Sequence, residues 1–320
     1  VCTRNNERGE KKSVLVINDT GVGTNTPCHT PTVQKWNIGN FIEQNLNPAR
    51  ESPYLILLSH CHYDHILGLR SLLYSEQDVL DAEARSNEAH PRATVISSSH
   101  AQSFVTPYEV LMEHSLCTSE RLRAPIYKTS IWAGDDEKIV YEHTSGSQIQ
   151  LPVITLHTPG HTPDSLSWYD TEERALYVGD SFYTQESTDT RNAPWGPESP
   201  AAILFPNEGN LFDWWQSIEK LAAFVKVRNI EGEKPVTLSA GHVTASVDAA
   251  KCLKDVKKFM AEVLRDEARF EEQPAKRGMR FGHWTEKNPG HTGIGTFSLG
   301  APLRVIREGK EKISRSEWCS

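Results

Sequence analysis

The chain has 320 residues, 38% of them hydrophobic and 24% charged, and carries a formal net charge of −8 at pH 7. That length and mix suit a soluble globular protein with a sizeable core and argue against a general nucleic-acid binder, which presents a basic surface. No run approaches the ~20 consecutive apolar residues of a membrane span, so no membrane partner is expected.

The start, VCTRNNERGEKKS, is polar and lacks the apolar core of a signal peptide, although a chain beginning at Val leaves processing open. Six scattered cysteines (Cys2, Cys28, Cys61, Cys117, Cys252, Cys319) include no CxxC pair. They read as free thiols of a cytoplasmic protein, with disulfides formally open.

SVLVINDTG reads as a strand ending in a Gly turn, and the second half of TVQKWNIGNFIEQNL has helical spacing. YLILLS is an apolar run of strand length, expected to be buried on both faces. ILGLRSLLY is helix-like from Ile66, SEQDVLDAEARSNEA is rich in helix formers, ATVISSS is a strand and PYEVLMEHSL a helix. The middle turns β-rich: IYKTSIWAG, EKIVYEH, SQIQLPVITLHT, SLSWYD and RALYVGD, separated by polar turns. Residues 185–210 are loop-like. LFDWWQSIEKLAAFVKVR is a helix with an apolar stripe, VTLSAGH a strand, and VDAAKCLKDVKKFMAEVLRDEARF a long helix. This alternation predicts an α/β sandwich. With no break in composition, residues 1–320 are expected to form one catalytic domain. Insertions fall at about 75–130 and 185–215, and a C-terminal segment wraps back from about 271.

At the end of YLILLS stands HCHYDH, residues 60–65. Side chains alternate along an extended segment, so His60 and His62 point to one side and can grip one metal ion. Asp64 and His65 follow where the strand turns into a helix and could serve a second ion. Imidazole nitrogen with carboxylate oxygen is a good donor set for zinc. Three further candidates each follow a strand and a Gly: His161 in HTPGHTPDS, Asp180 in YVGDSFY and His242 in LSAGHV. Strand ends deliver such groups to one edge of a rigid scaffold.

HCHYDH, TPGHT, GD and GH in this order, led by VINDTG, resemble the metallo-β-lactamase superfamily. The resemblance runs from about Val14 to the helix after His242. It implies a four-layer αββα sandwich of two mixed sheets flanked by helices, with a dinuclear metal site on one edge. Carried over residue by residue, His60, His62 and His161 would bind the first zinc, Asp64, His65 and His242 the second, and Asp180 would bridge them. An Asp rather than a Cys at position 180 is like glyoxalase II, homoserine-lactone lactonases and related lactamases. Tyr183 in GDSFY stands where lactonases of the superfamily carry a tyrosine that hydrogen-bonds the substrate. QESTDTRN does not match the segment that follows GD in glyoxalase II.

The chemistry implied is attack on a polarised carbonyl by a water that two zinc ions ionise near neutral pH. Asp64 would relay a proton, Asp180 would position the nucleophile and Tyr183 would stabilise charge. Two zinc ions per chain are expected ahead of iron or manganese. Cys61 should be buried packing. Trp195 and Phe205 are candidates for the substrate pocket, whereas Trp214 and Trp215 read as core. His283, Trp284 and His291 are left without a ligand role. His29, His90, His100, His114 and His143 read as surface or structural groups, as does His157, which also stands where it could brace the His161 turn. The expectation is a hydrolase opening a small cyclic amide, carbamate or ester, as in detoxifying lactamases. A homoserine-lactone lactonase, a thioesterase, a phosphodiesterase of the same fold, an iron oxidoreductase and a non-catalytic scaffold are the alternatives. The expected partner is a small molecule, and a homodimer is left open.

Overall fold

The computed structural model describes residues 2–5, 11–24, 26–27, 35–73, 93–142, 146, 148–193, 196–287 and 296–318. Where one domain is expected from the sequence, the chain divides into two compact units, Val1–Pro152 and Val153–Ser320.

The first unit is built on a five-stranded sheet. Its strands are β1 (Cys2–Asn5), β2 (Lys11–Asn18), β5 (Tyr54–Leu57), β6 (Ala93–Ser98) and β7 (Ile131–Ala133), in that spatial order. β3 (Thr26–Pro27) and β4 (Lys35–Trp36) make a separate two-residue ladder. β1 runs antiparallel to β2; the other neighbours are parallel, with Asn18 opposite Leu57 and Leu57 opposite Ile96. Parallel strands need both faces covered, and all four residues of β5 are buried. Helices α1 (Ile38–Asn45), α2 (Tyr63–Ile66), α3 (Leu69–Leu73), α4 (Gln102–Val105) and α5 (Tyr108–His114) lie in the connections. The helix expected from Ile66 is broken in two. At the break the Gly68 N–H donates to the Gly21 carbonyl (3.2 Å). β6 falls within the stretch expected as an insertion and β7 directly after it, yet both complete the sheet. The helix expected in DVLDAEARSNEA lies outside the described residues. β8 (Glu137–Glu142) alternates exposed and buried positions at its end, as a half-buried strand does.

β9 (Gln148–His157) runs across the boundary, and the second unit continues through β10 (Leu166–Asp170), β11 (Ala175–Tyr177), β13 (Thr237–Ser239) and β14 (Val247–Asp248). β9, β10 and β11 form an antiparallel run. β11 then pairs with β13 in parallel, Tyr177 opposite Ser239, and β14 closes the edge. The loop expected at 185–210 contains α6 (Thr188–Arg191) and the two-residue strand β12 (Ile203–Leu204). α7 (Leu211–Glu231) starts where the Asn210 side chain accepts from the Phe212 and Asp213 N–H groups, the usual role of an N-cap. α8 (Ala249–Leu264) is capped by Asp248. Trp214 and Trp215 are 1% and 0% exposed, as expected of core residues.

The C-terminal tail makes a third sheet that its mixed, charged sequence conceals. β15 (Arg269–Lys276), β16 (Met279–Thr285) and β17 (Ser298–Pro302) form an antiparallel set, and β12 joins β17 in parallel. α9 (Leu303–Lys312) and α10 (Arg315–Trp318) follow. Phe297, Leu299, Val305, Ile306 and Trp318 from this tail enter the same core as α7 and α8.

Cys61, Cys117 and Cys252 are buried free thiols, and burial pushes the Cys252 thiol up to about 12. Glu286 is also buried, and its Oε1 accepts the Phe297 N–H (3.1 Å). Burial raises its carboxyl above the ordinary glutamate value, helped by Glu262 and Asp255 and opposed by the Phe297 bond and Lys258. A carboxyl raised in the folded state stabilises it at pH below the unfolded value. That contribution is lost as pH rises through the folded value. Glu286→Gln keeps an acceptor for Phe297 and removes the charge. It should raise the melting temperature at neutral pH and lose that advantage in acid, which thermal melts across pH would read.

Candidate metal centre

In the first unit the donors grow from two parallel neighbours. β5 ends at Leu57, and three residues later the chain reaches His60. The His60 and His62 rings lie 4.5 Å apart between centroids, with Nε2 of one facing Nδ1 of the other at 2.9 Å. Their convergence is the one expected from alternation. His62 has extended backbone and caps α2, so Asp64 and His65 enter a helix and point elsewhere. The His65 ring still lies 4.1 Å from that of His60, and Asp64 Oδ2 is 3.8 Å from His65 Nε2. All three imidazoles are 5% exposed or less. Gathering ring nitrogens in a dry site favours a shared proton or a cation between them.

Asp19, the first residue after β2, is the member that no motif in the sequence singles out. Its Oδ2 accepts from His65 Nδ1–H (2.9 Å) and its Oδ1 from the Ser59 N–H (2.7 Å). That bond fixes the His65 tautomer, with the lone pair on Nε2. Asp19 sits at φ +54°, in the left-handed region that Asp tolerates. The Thr20 N–H and hydroxyl both donate to the His65 carbonyl at 2.8 Å. The signal was present in VINDTG: two parallel strands in register end on the same edge, so the acid after one meets the histidines after the other.

The second unit repeats the device with β11 and β13. Asp180 follows β11 in a short 3-10 turn, and His242 follows β13. His242 Nε2–H donates to Asp180 Oδ2 at 3.0 Å. Gly241 lies between, donating its N–H to the Gly179 carbonyl (2.7 Å), and a Cβ at Gly241 would collide with Asp180 Oδ1. His242 itself holds φ +64°, a conformation that most non-glycine residues avoid. His161 leaves β9 through Gly160, whose φ of +143° and closeness to the Trp214 backbone exclude any side chain. His161 Nδ1–H donates to the Leu204 carbonyl (2.7 Å), which fixes the tautomer with the lone pair on Nε2. His157 braces this turn: its Nε2–H donates to the Pro163 carbonyl (3.0 Å).

Tyr183 is buried, and its ring meets that of His242 edge-on at 5.2 Å between centroids. Cys61 is 1% exposed in the core of the first unit. Phe205, expected at the substrate pocket, is 2% exposed and packs its ring edge against Trp214 in the core of the second unit. An apolar residue between β12 and α7 is drawn inward there. Trp195 and His291 lie outside the described residues. Trp284 is core, packed against Phe270.

The donor set fits metal ions: histidine nitrogens with their second nitrogens engaged, carboxylates beside them, and a glycine keeping Asp180 clear. A model of the metallo-β-lactamase superfamily matches residues 8–259, and the chain belongs to that superfamily, whose members are mostly metal-dependent hydrolases. The chain has the metallo-β-lactamase fold expected from its motifs. Among relatives, it is 26% identical over 274 residues to an Aspergillus versicolor protein named "Putative transcription factor avaE", covering 82% of this chain and 70% of that one. Among solved structures, it resembles a superfamily protein of Sulfolobus tokodaii at 16% identity and a TM-score of 0.43, covering 96% of this chain and 91% of that one. A protein crystallised in a di-iron-bound form aligns at 15% identity and a TM-score of 0.43, over 78% of this chain and 90% of that one.

Outer partners of metal-binding histidines typically contribute 10–100-fold in metal affinity. Asp19→Ala should therefore weaken metal binding by about that factor while the circular dichroism spectrum stays native. An unchanged metal titration would remove Asp19 from the centre.

Proposed function

We propose that the chain is a dinuclear metal hydrolase that opens a small cyclic amide, carbamate or ester. As the superfamily resemblance implies, His60, His62 and His161 would hold one ion, Asp64, His65 and His242 the other, and Asp180 would bridge them. The observation that carries this reading is made within each unit: His60, His62 and His65 gather beside Asp64 in the first, and His242 meets Asp180 in the second, with no thiolate among these groups. Bound cations would supply an ionised water at neutral pH and polarise a carbonyl.

The chain's own residues do the rest. Asp180, held by His242 and kept clear by Gly241, orients the attacking water. Asp64, at the start of α2, would take a proton from it and pass it to the leaving group. Tyr183, packed on His242, would offer its phenol to the carbonyl oxygen or to the departing atom. A ring-opening substrate suits this arrangement because nucleophile and leaving group stay on one molecule within reach of the same few groups. Zinc is proposed as the metal, with iron the competitor. A lactone is the nearest alternative substrate to a lactam or carbamate, and a thioester follows.

The name of the Aspergillus relative suggests regulation for that protein. A net charge of −8 weighs against direct nucleic-acid binding by this one. Among the described residues no helix is long and apolar enough to cross a membrane, and a small-molecule substrate is the proposed partner.

Purified protein should contain two zinc ions per chain and open an aromatic cyclic carbamate or lactam faster than a homoserine lactone or a glutathione thioester. Two irons, or none of these activities with zinc bound, would sink the reading. Asp180→Ala should lose metal and abolish turnover; near-normal turnover would take it out of the bridge. Tyr183→Phe should keep its metal and slow turnover by roughly tenfold or more if the phenol meets developing charge.

A further inference from the structure

The superfamily match ends at residue 259, yet the residues that hold the His161 acceptor in place lie beyond it. His161 donates to the carbonyl of Leu204, and Leu204 belongs to β12, a strand of two residues. So short a strand has no independent stability. It exists because β17 pairs with it, Ile203 opposite Leu299 and Leu204 opposite Gly300.

The direction of the carbonyl follows from that pairing. Backbone groups of successive strand residues point to alternate sides. The Phe205 N–H donates to the Gly300 carbonyl at 2.9 Å, so position 205 faces β17. Position 204 must then face away, and its carbonyl meets His161. β12 is the edge of the C-terminal sheet, and His161 uses that edge.

The brace extends on both sides. The Gln185 N–H donates to the Thr296 carbonyl (2.8 Å), and the Thr296 hydroxyl donates to Gln185 Oε1 (2.7 Å). The Ser298 hydroxyl donates to the Ala201 carbonyl (3.0 Å). Arg304, at the start of α9, donates to the Asn207 carbonyl. Residues 296–304 thus hold the chain from just after Tyr183 to just before α7.

We infer that this C-terminal segment is a positioning element of the metal centre. Through Gly300 and Arg304 it sets the Leu204 carbonyl, and the carbonyl sets the tautomer and ring plane of His161. The inference rests on the proposed role of His161 as a metal ligand.

The test uses the full chain and three variants. Gly300→Val places a branched side chain where even a Cβ would lie 2.9 Å from Leu204 Cδ2 and 3.1 Å from Phe281 Cε1. Arg304→Gln removes the guanidinium from Asn207. Arg280→Gln is the control; it breaks the ion pair with Glu272 (2.9 Å) between β15 and β16, away from β12. Zinc affinity is read by competition with a chromophoric chelator. The His161 tautomer is read by nitrogen-15 NMR of the metal-free protein.

Wild type should show a single His161 tautomer, protonated on Nδ1. Gly300→Val and Arg304→Gln should mix the tautomers and weaken binding of one of the two zinc ions, by about tenfold or more in the valine variant. Arg280→Gln should match wild type in both. Unchanged tautomer and unchanged affinity in both brace variants would overturn the inference, as would equal loss in Arg280→Gln. If a brace variant does not fold, an Nε2–H tautomer for His161 in folded wild type overturns it alone. Wild type that takes up no zinc would instead fail the hydrolase reading, and this inference with it. Two zincs in wild type and in unaffected brace variants would fail the brace only.

Discussion

Parallel pairing of neighbouring strands is the constraint on which the chemistry here depends. Two strands that run the same way and share a register must end on the same edge. β2 and β5 do this in the first unit, and β11 and β13 in the second. Asp19 therefore meets His65 without any long loop, and Asp180 meets His242 in the same manner. Rigid strands place these groups more accurately than free loops would. The hydrophobic content of β5 thus has a functional consequence, because a strand buried on both faces cannot shift register without exposing its apolar side chains.

The backbone is strained at two points of that convergence. Asp19 and His242 both adopt positive φ, and Gly241 is fixed by the nearness of a carboxylate. Residues held in sparsely populated backbone regions cost of order 1–3 kcal/mol each and persist where surrounding structure over-determines them. Around Asp19 that structure is the Ser59 and His65 bonds; around His242 it is Asp180 and the edge-on Tyr183 ring. Stability elsewhere, from apolar cores built on β5 and on α7, permits this local strain.

Much of the site was legible in the amino-acid sequence because metal donors are rare in such density. HCHYDH announces itself, and the Gly before His161, Asp180 and His242 reflects real steric need at Gly160 and Gly241. Asp19 was not recognised, because an Asp before Thr-Gly reads equally well as a turn residue. Only the parallel register with β5 gives it a partner. The C-terminal sheet was hidden for a different reason. In β15 nearly every side chain is exposed, so RFEEQPAK has no buried face to show as alternation. β12 and β17 are short and pair across more than ninety residues, a distance over which local pattern carries no signal. The neighbourhood of prolines and aromatics around Phe205 points to a pocket, whereas its strand neighbour Leu204 turns outward and sends it into the core.

The distribution of thiols has a use of its own. Cys61 and Cys117 are sealed in the first unit, Cys252 in the second, and burial holds the Cys117 and Cys252 protons tightly. A thiolate reagent cannot reach them until the surrounding core opens. With Cys2, Cys28 and Cys319 changed to serine, the rate of alkylation at each remaining position becomes a clock for the unit that contains it. Equal clocks would mean that the two halves open as one cooperative body. Unequal clocks would identify the half that melts first, and with it which set of histidines and carboxylates is surrendered before the other.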